Sequence, residues 1–234
     1  MKEINNKPGI TIIMPCKNEA NAIPLCINEA KAFMNEHNLR GEILVVDNAS
    51  TDGSGHIARS CGARVIHVSK PGYGRTLRAG IKASHFPIIA MGDCDTTYNF
   101  NELWPMYSLL YNCKCDMVIG NRFTGNMEKG AMPLSHKLGV NFLSALGRWR
   151  YRVNVKDFHC GLRALSKEAA GKLSLRTTGM EFATEMIAQA KQNNLKILET
   201  PVTLRRSKCN RSSKLHAIRD GIRHVGYIFH LYKK

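Results

Sequence analysis

Two carboxylates one residue apart, Asp93 and Asp95, follow directly behind the apolar residues 87–91. This run has the length and composition of a buried strand. In open α/β sheets, ligands bind beyond the carboxyl ends of the strands, and oxygen ligands suit a hard divalent cation that is shared with substrate phosphates. The pair therefore indicates a metal site, although a capped turn between a strand and a helix is the alternative interpretation.

Three further apolar runs, residues 10–14, 43–46 and 64–68, each end in polar or glycine-rich sequence. Because helical patterns at residues 22–35 and 77–83 alternate with these runs, we predict an α/β fold with a parallel sheet and right-handed crossovers. The strands then end at one edge, where a nucleotide-sized ligand would lie. The candidate residues at this edge are Pro15, Asn18, Glu19, Asp47, Asp52, Gly72, Tyr73 and Gly74. Individually, such residues are also common as helix caps and turn formers.

Length and composition fit a folded unit of enzyme size. The chain has 234 residues, of which 44% are hydrophobic and 22% charged, so it can bury a core. No window of 18 or more mainly apolar residues predicts a transmembrane span, and the first apolar run is too short for the core of a signal peptide. The eight cysteines form no paired metal-binding pattern. Reduced thiols in a cytoplasmic protein are the expectation.

The net charge of +16 predicts an anionic partner, namely nucleic acid, an anionic membrane or a phosphorylated substrate. Between residues 205 and 234 the only acid is Asp220. Apolar residues recur there at spacings of three and four: Leu215, Ile218, Ile222, Val225 and Phe229. The pattern predicts a basic amphipathic helix that either lies in a membrane interface or packs on the domain with a solvated basic face. We accordingly divide the chain into a catalytic domain, residues 1–204, and a basic loop with its C-terminal helix, residues 205–234.

Taken together and in this order, the polar clusters resemble the motifs of family 2 glycosyltransferases of the GT-A fold. The resemblance includes Pro15-x-x-Asn18-Glu19, the segment from Val46 to Ser54, the Gly72-Tyr73-Gly74 loop and Asp93-x-Asp95. It implies a Rossmann-like, mainly parallel sheet with helices on both faces. It also implies a nucleotide-sugar donor and Mg²⁺ or Mn²⁺ held by Asp93 and Asp95. The metal would neutralise the diphosphate leaving group.

The second half of the chain is similar to the polyprenyl-phosphate sugar synthases, the dolichol-phosphate mannose or glucose synthase type. The matching segments are Gly120-Asn121-Arg122, Asp157 to Arg163, and Ser213-Lys214-Leu215. The chain departs from that pattern at Tyr98, Cys160 and Leu162. The resemblance implies catalytic roles for Asp93, Asp95, Arg122, Asp157 and Arg163. It implies that donor binding involves Asp93, Lys208 and the edge residues named above.

The nature of the acceptor depends on whether a general base is needed. A hydroxyl acceptor must lose a proton on attack, whereas a monophosphate is already largely a dianion at pH 7 and needs cationic ligands. The candidate ligands of an acceptor phosphate are Arg122, His136, Lys137 and Arg163. Asp157 has three possible roles: to orient the sugar, to act as base toward a hydroxyl, or to be a structural partner of Arg163. Residues 125–133 are expected to form an irregular acceptor loop.

The sequence thus predicts an inverting transfer of a hexose from a UDP- or GDP-sugar to a polyprenyl monophosphate, at the cytoplasmic face of a membrane. A GT-A enzyme with a hydroxyl acceptor is the first alternative. A basic nucleic-acid-binding protein is the second, although carboxylates at the strand ends would repel a phosphate backbone. An inactive binding module is the third, and the intact Asp93-x-Asp95 pair argues against it.

Overall fold

The computed structural model describes residues 7–209 and 217–230. Within them, seven strands form one sheet in the order β3-β2-β1-β4-β6-β5-β7. The strands are β1 Ile10–Cys16, β2 Gly41–Asp47, β3 Arg64–His67, β4 Ile88–Met91, β5 Met117–Asn121, β6 Arg163–Ser166 and β7 Ile197–Pro201.

The first four strands are parallel to one another, as the alternation of runs and helices predicts. Strand β7 is parallel to β5, whereas β6 runs antiparallel to both of its neighbours, β4 and β5. The predicted α/β class with a mainly parallel sheet is therefore confirmed. Because β6 is reversed, its amino end lies at the edge where β4 ends, which brings the residues that precede Arg163 next to the Asp93-Asp95 loop.

Continuous apolar sequence explains the central strands. Every residue of β4 is buried, and so is every residue of β1 except Pro15. A strand that is covered on both faces needs apolar side chains at successive positions rather than at alternate ones. The rigid centre of the sheet consequently fixes the backbone from which the polar loops emerge.

The helices are α1 Ile23–Glu36, α2 Ser54–Ser60, α3 Tyr73–Ala83, α4 Trp104–Tyr111, α5 Leu134–Tyr151, α6 Lys167–Lys172, α7 Phe182–Gln192 and α8 Ala217–His230, with a short 3₁₀ helix at Phe100–Leu103. Both helices expected in the N-terminal half and the C-terminal helix are confirmed. Residues 125–133 hold neither a strand nor a helix, as predicted. The Ser213-Lys214-Leu215 segment lies outside the described residues.

Helix α8 packs against α5 and α7. Among the described residues, no helix combines the length and the apolar character that crossing a membrane requires. All eight cysteines are free thiols.

Candidate active site

The first two polar clusters are joined by hydrogen bonds across the carboxyl ends of β1 and β2. The Asn18 backbone NH donates to the Ser50 hydroxyl at 3.0 Å, and the Thr51 NH donates to Asn18 Oδ1 at 2.8 Å. Asp52 accepts from the Ala20 NH at 2.9 Å. Asn18 and Asp52 therefore hold the two loops together, and the NH of the buried Glu19 completes the connection at the Ser54 hydroxyl, 2.8 Å away.

Asp47 lies at the end of β2, directly opposite Cys16 in the parallel register. It is 5% exposed. One carboxylate oxygen accepts the Ser50 NH at 3.1 Å, and the other lies 3.0 Å from His67 Nδ1. Pro15, at the same edge, accepts a hydrogen bond from the Cys94 thiol at 3.1 Å.

The loop before α3 is held by Asn48, a buried residue that follows β2. Asn48 Oδ1 accepts the Gly72 NH at 2.9 Å, and its Nδ2 donates to the carbonyls of Val68 and Lys70, each at 2.9 Å. Gly72 has a φ of 147°, and a Cβ there would collide with the Thr178 carbonyl. Only glycine fits this position, because the backbone is in the left-handed half of conformational space and another segment lies against it.

The segment that packs against Gly72 and Gly74 is itself fixed by Glu185 of α7. The Glu185 carboxylate is 2% exposed and accepts the NH groups of Arg176 and Thr177 at 2.8 and 2.9 Å. The glycine loop is thus confined between Asn48 on one side and a segment anchored to α7 on the other.

Asp93 and Asp95 both emerge from the end of β4. Asp95 is 7% exposed, and its Oδ1 accepts the NH and the hydroxyl of Thr97 at 3.0 and 2.5 Å. Tyr73 forms a hydrogen bond with Asp93, and burial, followed by the negative charge of Asp93, raises the pKa of Tyr73 well above its usual value. A Cβ on Gly161 would collide with Asp93 Oδ2, so glycine is required for this close approach.

The chemistry of this edge fits a hard divalent cation. The two carboxylates are neighbours of a buried strand end, and carboxylate oxygens are the ligands that Mg²⁺ and Mn²⁺ prefer. The described residues contain no group of three or more His, Cys, Asp or Glu side chains arranged around one metal position. A pair of carboxylates suits an ion that shares its coordination with substrate phosphates.

Arg122 and Asp157 form a buried, bidentate ion pair. The distances are 2.7 Å from Nε to Oδ2 and 2.7 Å from Nη2 to Oδ1, and the Arg122 NH adds a third contact at 3.2 Å. The residues are 6% and 0% exposed. Burial by itself lowers the pKa of Arg122, but nearby Tyr98 and the hydrogen bonds that Arg122 donates to Asp157 outweigh it, so the pKa of Arg122 lies well above its usual value. The structural partner of Asp157 is therefore Arg122 and not Arg163.

Arg163, at the start of β6, donates to three backbone carbonyls, and its Nη1 also contacts Met186 Sδ at 3.9 Å. Nε contacts the Cys160 carbonyl at 2.8 Å, Nη1 that of Ala183 at 2.8 Å, and Nη2 that of Phe158 at 2.5 Å. The side chain is buried, which lowers the pKa of Arg163. It fastens the loop of residues 157–163 to α7, and its contact with a substrate phosphate remains a prediction.

The remaining candidate cations approach from α5 and from the segment after β7. His136, in the first turns of α5, is half-buried, and burial followed by the charge of Arg122 lowers its pKa. Lys137 is exposed beside it. Lys208 is also exposed, and its NH donates to the Thr96 hydroxyl at 2.8 Å, next to Asp95.

The sequence interpretation missed the groups that hold the loops in place. One such residue is Asn48, which could have been found because it belongs to the polar cluster that follows β2. Two histidines at the inner side of α8 are others: His159 Nε2 lies 3.3 Å from His224 Nδ1, which the Thr184 hydroxyl contacts at 2.8 Å. No local pattern could have identified that pair, since 65 residues separate its members.

Comparison with known proteins identifies what this architecture is similar to. The family model "Glycosyl transferase family 2" matches residues 11–174. The hexosyltransferase Agl6 of low-salt glycan biosynthesis in Haloferax volcanii is 35% identical over 224 residues, 94% of this chain and 53% of that protein. This chain thus spans about half of the length of Agl6. A dolichyl-phosphate hexose transferase of the same organism is 29% identical, with 84% of this chain and 82% of that protein covered.

Among solved structures, glucosyl-3-phosphoglycerate synthase of Mycobacterium tuberculosis, in complex with Mn²⁺, UDP and phosphoglyceric acid, superposes with a TM-score of 0.73 at 19% identity. The match covers 94% of this chain and 78% of that chain. At this level of identity, the likeness is one of fold.

Proposed function

We propose, because this chain belongs to glycosyltransferase family 2 and has the GT-A fold, that it transfers a hexose from a nucleotide-sugar donor to a polyprenyl monophosphate. The family match and the hexosyltransferase relatives support hexose transfer. The dolichyl-phosphate hexose transferase among the relatives supports a lipid phosphate as acceptor. The contacts of Arg122 and Asp157 are the evidence on whether the acceptor is a phosphate or a hydroxyl.

The observation that carries the choice of acceptor is the engagement of Asp157. Oδ1 accepts from Arg122 Nη2 and the His159 NH, and Oδ2 accepts from Arg122 Nε and NH. Both oxygens are therefore occupied by donors, whereas a general base needs an oxygen directed at the proton that it removes. A monophosphate acceptor requires no base and is attracted by the cations of this region.

The donor would bind across the carboxyl ends of β1, β2 and β4. Asp47 would accept hydrogen bonds from the base, and Tyr73 and the backbone of the glycine loop would contact the diphosphate. Mg²⁺ or Mn²⁺, held by Asp95 with Asp93 in support, would supply the positive charge that stabilises a departing diphosphate. Solved relatives in fold hold Mn²⁺ or Mg²⁺ together with UDP, which supports the same assignment here.

The acceptor phosphate would approach from the side of α5. His136 and Lys137 lie in its first turns, the charge of Arg122 acts on His136, and Asp157 fixes the Arg122 guanidinium. A guanidinium that is already oriented loses little freedom when it binds phosphate, because its donors form a rigid planar fork. A lipid acceptor would also bring the protein to a membrane surface as a peripheral enzyme.

The test compares three acceptors in separate reactions with the purified protein. UDP- and GDP-sugars are incubated with Mn²⁺ and one of three acceptors: polyprenyl phosphate, the matching polyprenol, or phosphoglyceric acid. We expect a glycosylated lipid phosphate by mass spectrometry and no product from the alcohol. Transfer to polyprenol or to phosphoglyceric acid, with none to polyprenyl phosphate, would replace the proposal with the hydroxyl-acceptor alternative. Asp95→Asn serves as the inactive control.

A further inference from the structure

Exposed apolar side chains are concentrated on two adjacent helices. Eight large hydrophobic side chains are exposed among the described residues, and six of them belong to α5 and α8. These six are Leu134, Leu138, Phe142, Trp149, Ile222 and Phe229, with exposures from 49% to 72%. Single exposed apolar residues are ordinary, but a contiguous group on neighbouring helices indicates an interaction surface.

Packing within the domain does not account for this surface, because each helix already buries a different face. On α8 the inward residues are His224, Tyr227 and Ile228, with exposures of 5%, 7% and 0%. On α5 the inward residues are Val140, Ser144, Gly147 and Tyr151. The outer faces of both helices are consequently apolar without a partner among the described residues.

A groove of about 510 Å³ runs between the two outer faces. Its lining is Gly139, Phe142, Leu143, Gly221, Ile222, Val225 and Gly226. Cβ atoms added at the three glycines would meet nothing within 4 Å, so no side chain or backbone of the described ranges fills the groove. The surface is therefore a continuous apolar face with a central depression.

The charges beside this face decide which partner fits it. Helix α5 contains no acidic residue, and Asp220 is the only one on α8. Lys137, Arg152 and Arg219 are exposed around the face. Apolar residues bordered by cations match an anionic lipid surface, whereas a second copy would bring two basic faces together.

We propose that α5 and α8 together form a membrane-insertion face, with α5 as the principal inserting helix; this rests on the proposed lipid acceptor. Helix α5 contributes four of the six exposed apolar residues, including the only exposed tryptophan described. Its first turns carry the exposed Lys137 and the half-buried His136, on which the charge of Arg122 acts. Insertion of the α5 face would therefore hold the Lys137 ammonium and the His136 imidazole at the level of lipid headgroups, where a lipid phosphate lies.

The experiment compares matched double variants of the full chain in vesicle sedimentation, with phosphatidylglycerol–phosphatidylcholine vesicles and with pure phosphatidylcholine. Phe142→Ser with Trp149→Ser tests α5, and Ile222→Ser with Phe229→Ser tests α8. Leu25→Ser with Tyr111→Ser removes the two exposed apolar residues elsewhere and is the control. We expect the α5 variant to lose about tenfold or more in affinity for the anionic vesicles, the α8 variant to lose less, and the control to bind as wild type.

Three outcomes would overturn the assignment: wild-type binding by the α5 variant, an equal loss in the control variant, or a salt-insensitive affinity for both vesicle types. A dimer in sedimentation velocity without lipid, dispersed by the α5 variant, would assign the face to self-association instead. Circular dichroism and binding of UDP with Mn²⁺ verify that each variant is folded. Vesicle binding through α5 without sugar transfer would refute the proposed function and leave the insertion face standing. Sugar transfer in detergent without vesicle binding would refute the insertion face and leave the proposed function standing.

Discussion

At the residue scale, the side chains at the strand ends differ in the hydrogen bonds that they already make within the protein. Asp95 Oδ1 is engaged by Thr97, which fixes the carboxylate relative to the end of β4. We expect Asp95→Asn to reduce turnover by about two to three orders of magnitude, since it removes negative charge from the predicted metal site and leaves the Thr97 bonds possible. Initial rates with Mn²⁺ and a circular dichroism spectrum check this.

Asp116→Asn is the matched control, because Asp116 caps a turn near Lys196 and lies outside the proposed site. Wild-type rates for Asp95→Asn, or activity of the wild-type protein that survives an excess of chelator, would contradict the metal assignment.

The buried Arg122–Asp157 pair leads to a prediction about stability as well as transfer. Removing one member leaves the other as an uncompensated buried charge, so we expect Arg122→Ala to lower the free energy of unfolding by about 3–5 kcal/mol. Urea denaturation measures this loss. Replacing both residues, as in Arg122→Met with Asp157→Leu, should restore much of the stability while sugar transfer stays abolished.

That double variant separates the structural role from the functional one. We expect it to bind UDP with an affinity close to that of the wild type, because the pair lies away from the strand ends that would contact the nucleoside. A double variant that regains transfer together with stability would show that Arg122 acts only as a structural residue.

At the scale of single elements, the loop before α3 depends on Asn48. Asn48→Ala removes three hydrogen bonds that hold residues 68–72. We expect weaker donor binding, by about tenfold, with a smaller change in the rate at saturation, because the loop amides lose their preorganised position. Isothermal titration with UDP and Mn²⁺ measures the affinity.

Asn112→Ala is a suitable comparison, since Asn112 bonds only within the end of α4 and is exposed. Equal affinities of the wild type and Asn48→Ala for UDP would mean that the glycine loop binds the donor without the Asn48 hydrogen bonds.

The inner face of α8 predicts a pH dependence of stability. Burial lowers the pKa of His224 to about 4, from an ordinary value of 6.5. The neutral form is thus favoured in the folded state, so its contribution is present above pH 6.5 and is lost as the pH falls toward 4. The charged or titratable groups around His224 are His159, Arg163, Glu181, Asp220 and Arg223.

We expect the melting temperature to fall between pH 6.5 and 4, with a smaller decline in His224→Gln, which cannot acquire this charge. Differential scanning calorimetry over that range measures both proteins. Identical pH profiles for the two proteins would show that His224 does not contribute to this dependence.

At the scale of the whole molecule, binding at the strand edge should be linked to folding. Ligands that bind only the folded state stabilise it in proportion to the logarithm of their concentration. UDP with Mn²⁺ at about 100 times the dissociation constant should therefore add about 2.7 kcal/mol, seen as a rise in melting temperature. Chelation should reverse the rise, and Asp95→Asn should show little of it. A rise that UDP produces equally well in chelator would separate nucleotide binding from the metal.

The amino-acid sequence by itself determined the framework of the protein. Continuous apolar runs specify buried strands because a strand covered on both faces cannot alternate, and the helical patterns between the runs require parallel strands. The polar clusters therefore had to meet at one edge, where Asp47, Gly72 and Asp93 are found. These signals are local in the chain, and short segments encode them fully.

The tertiary structure alone decided the pairings between distant segments. The sequence interpretation considered only Arg163 as a structural partner of Asp157. The fold instead brings Arg122 against Asp157, while Arg163 donates to backbone carbonyls. Helical spacing likewise defined two faces of α8 without indicating which one would be covered. The choice depends on which surfaces of α5 and α7 are within reach, and packing of the whole chain sets that geometry.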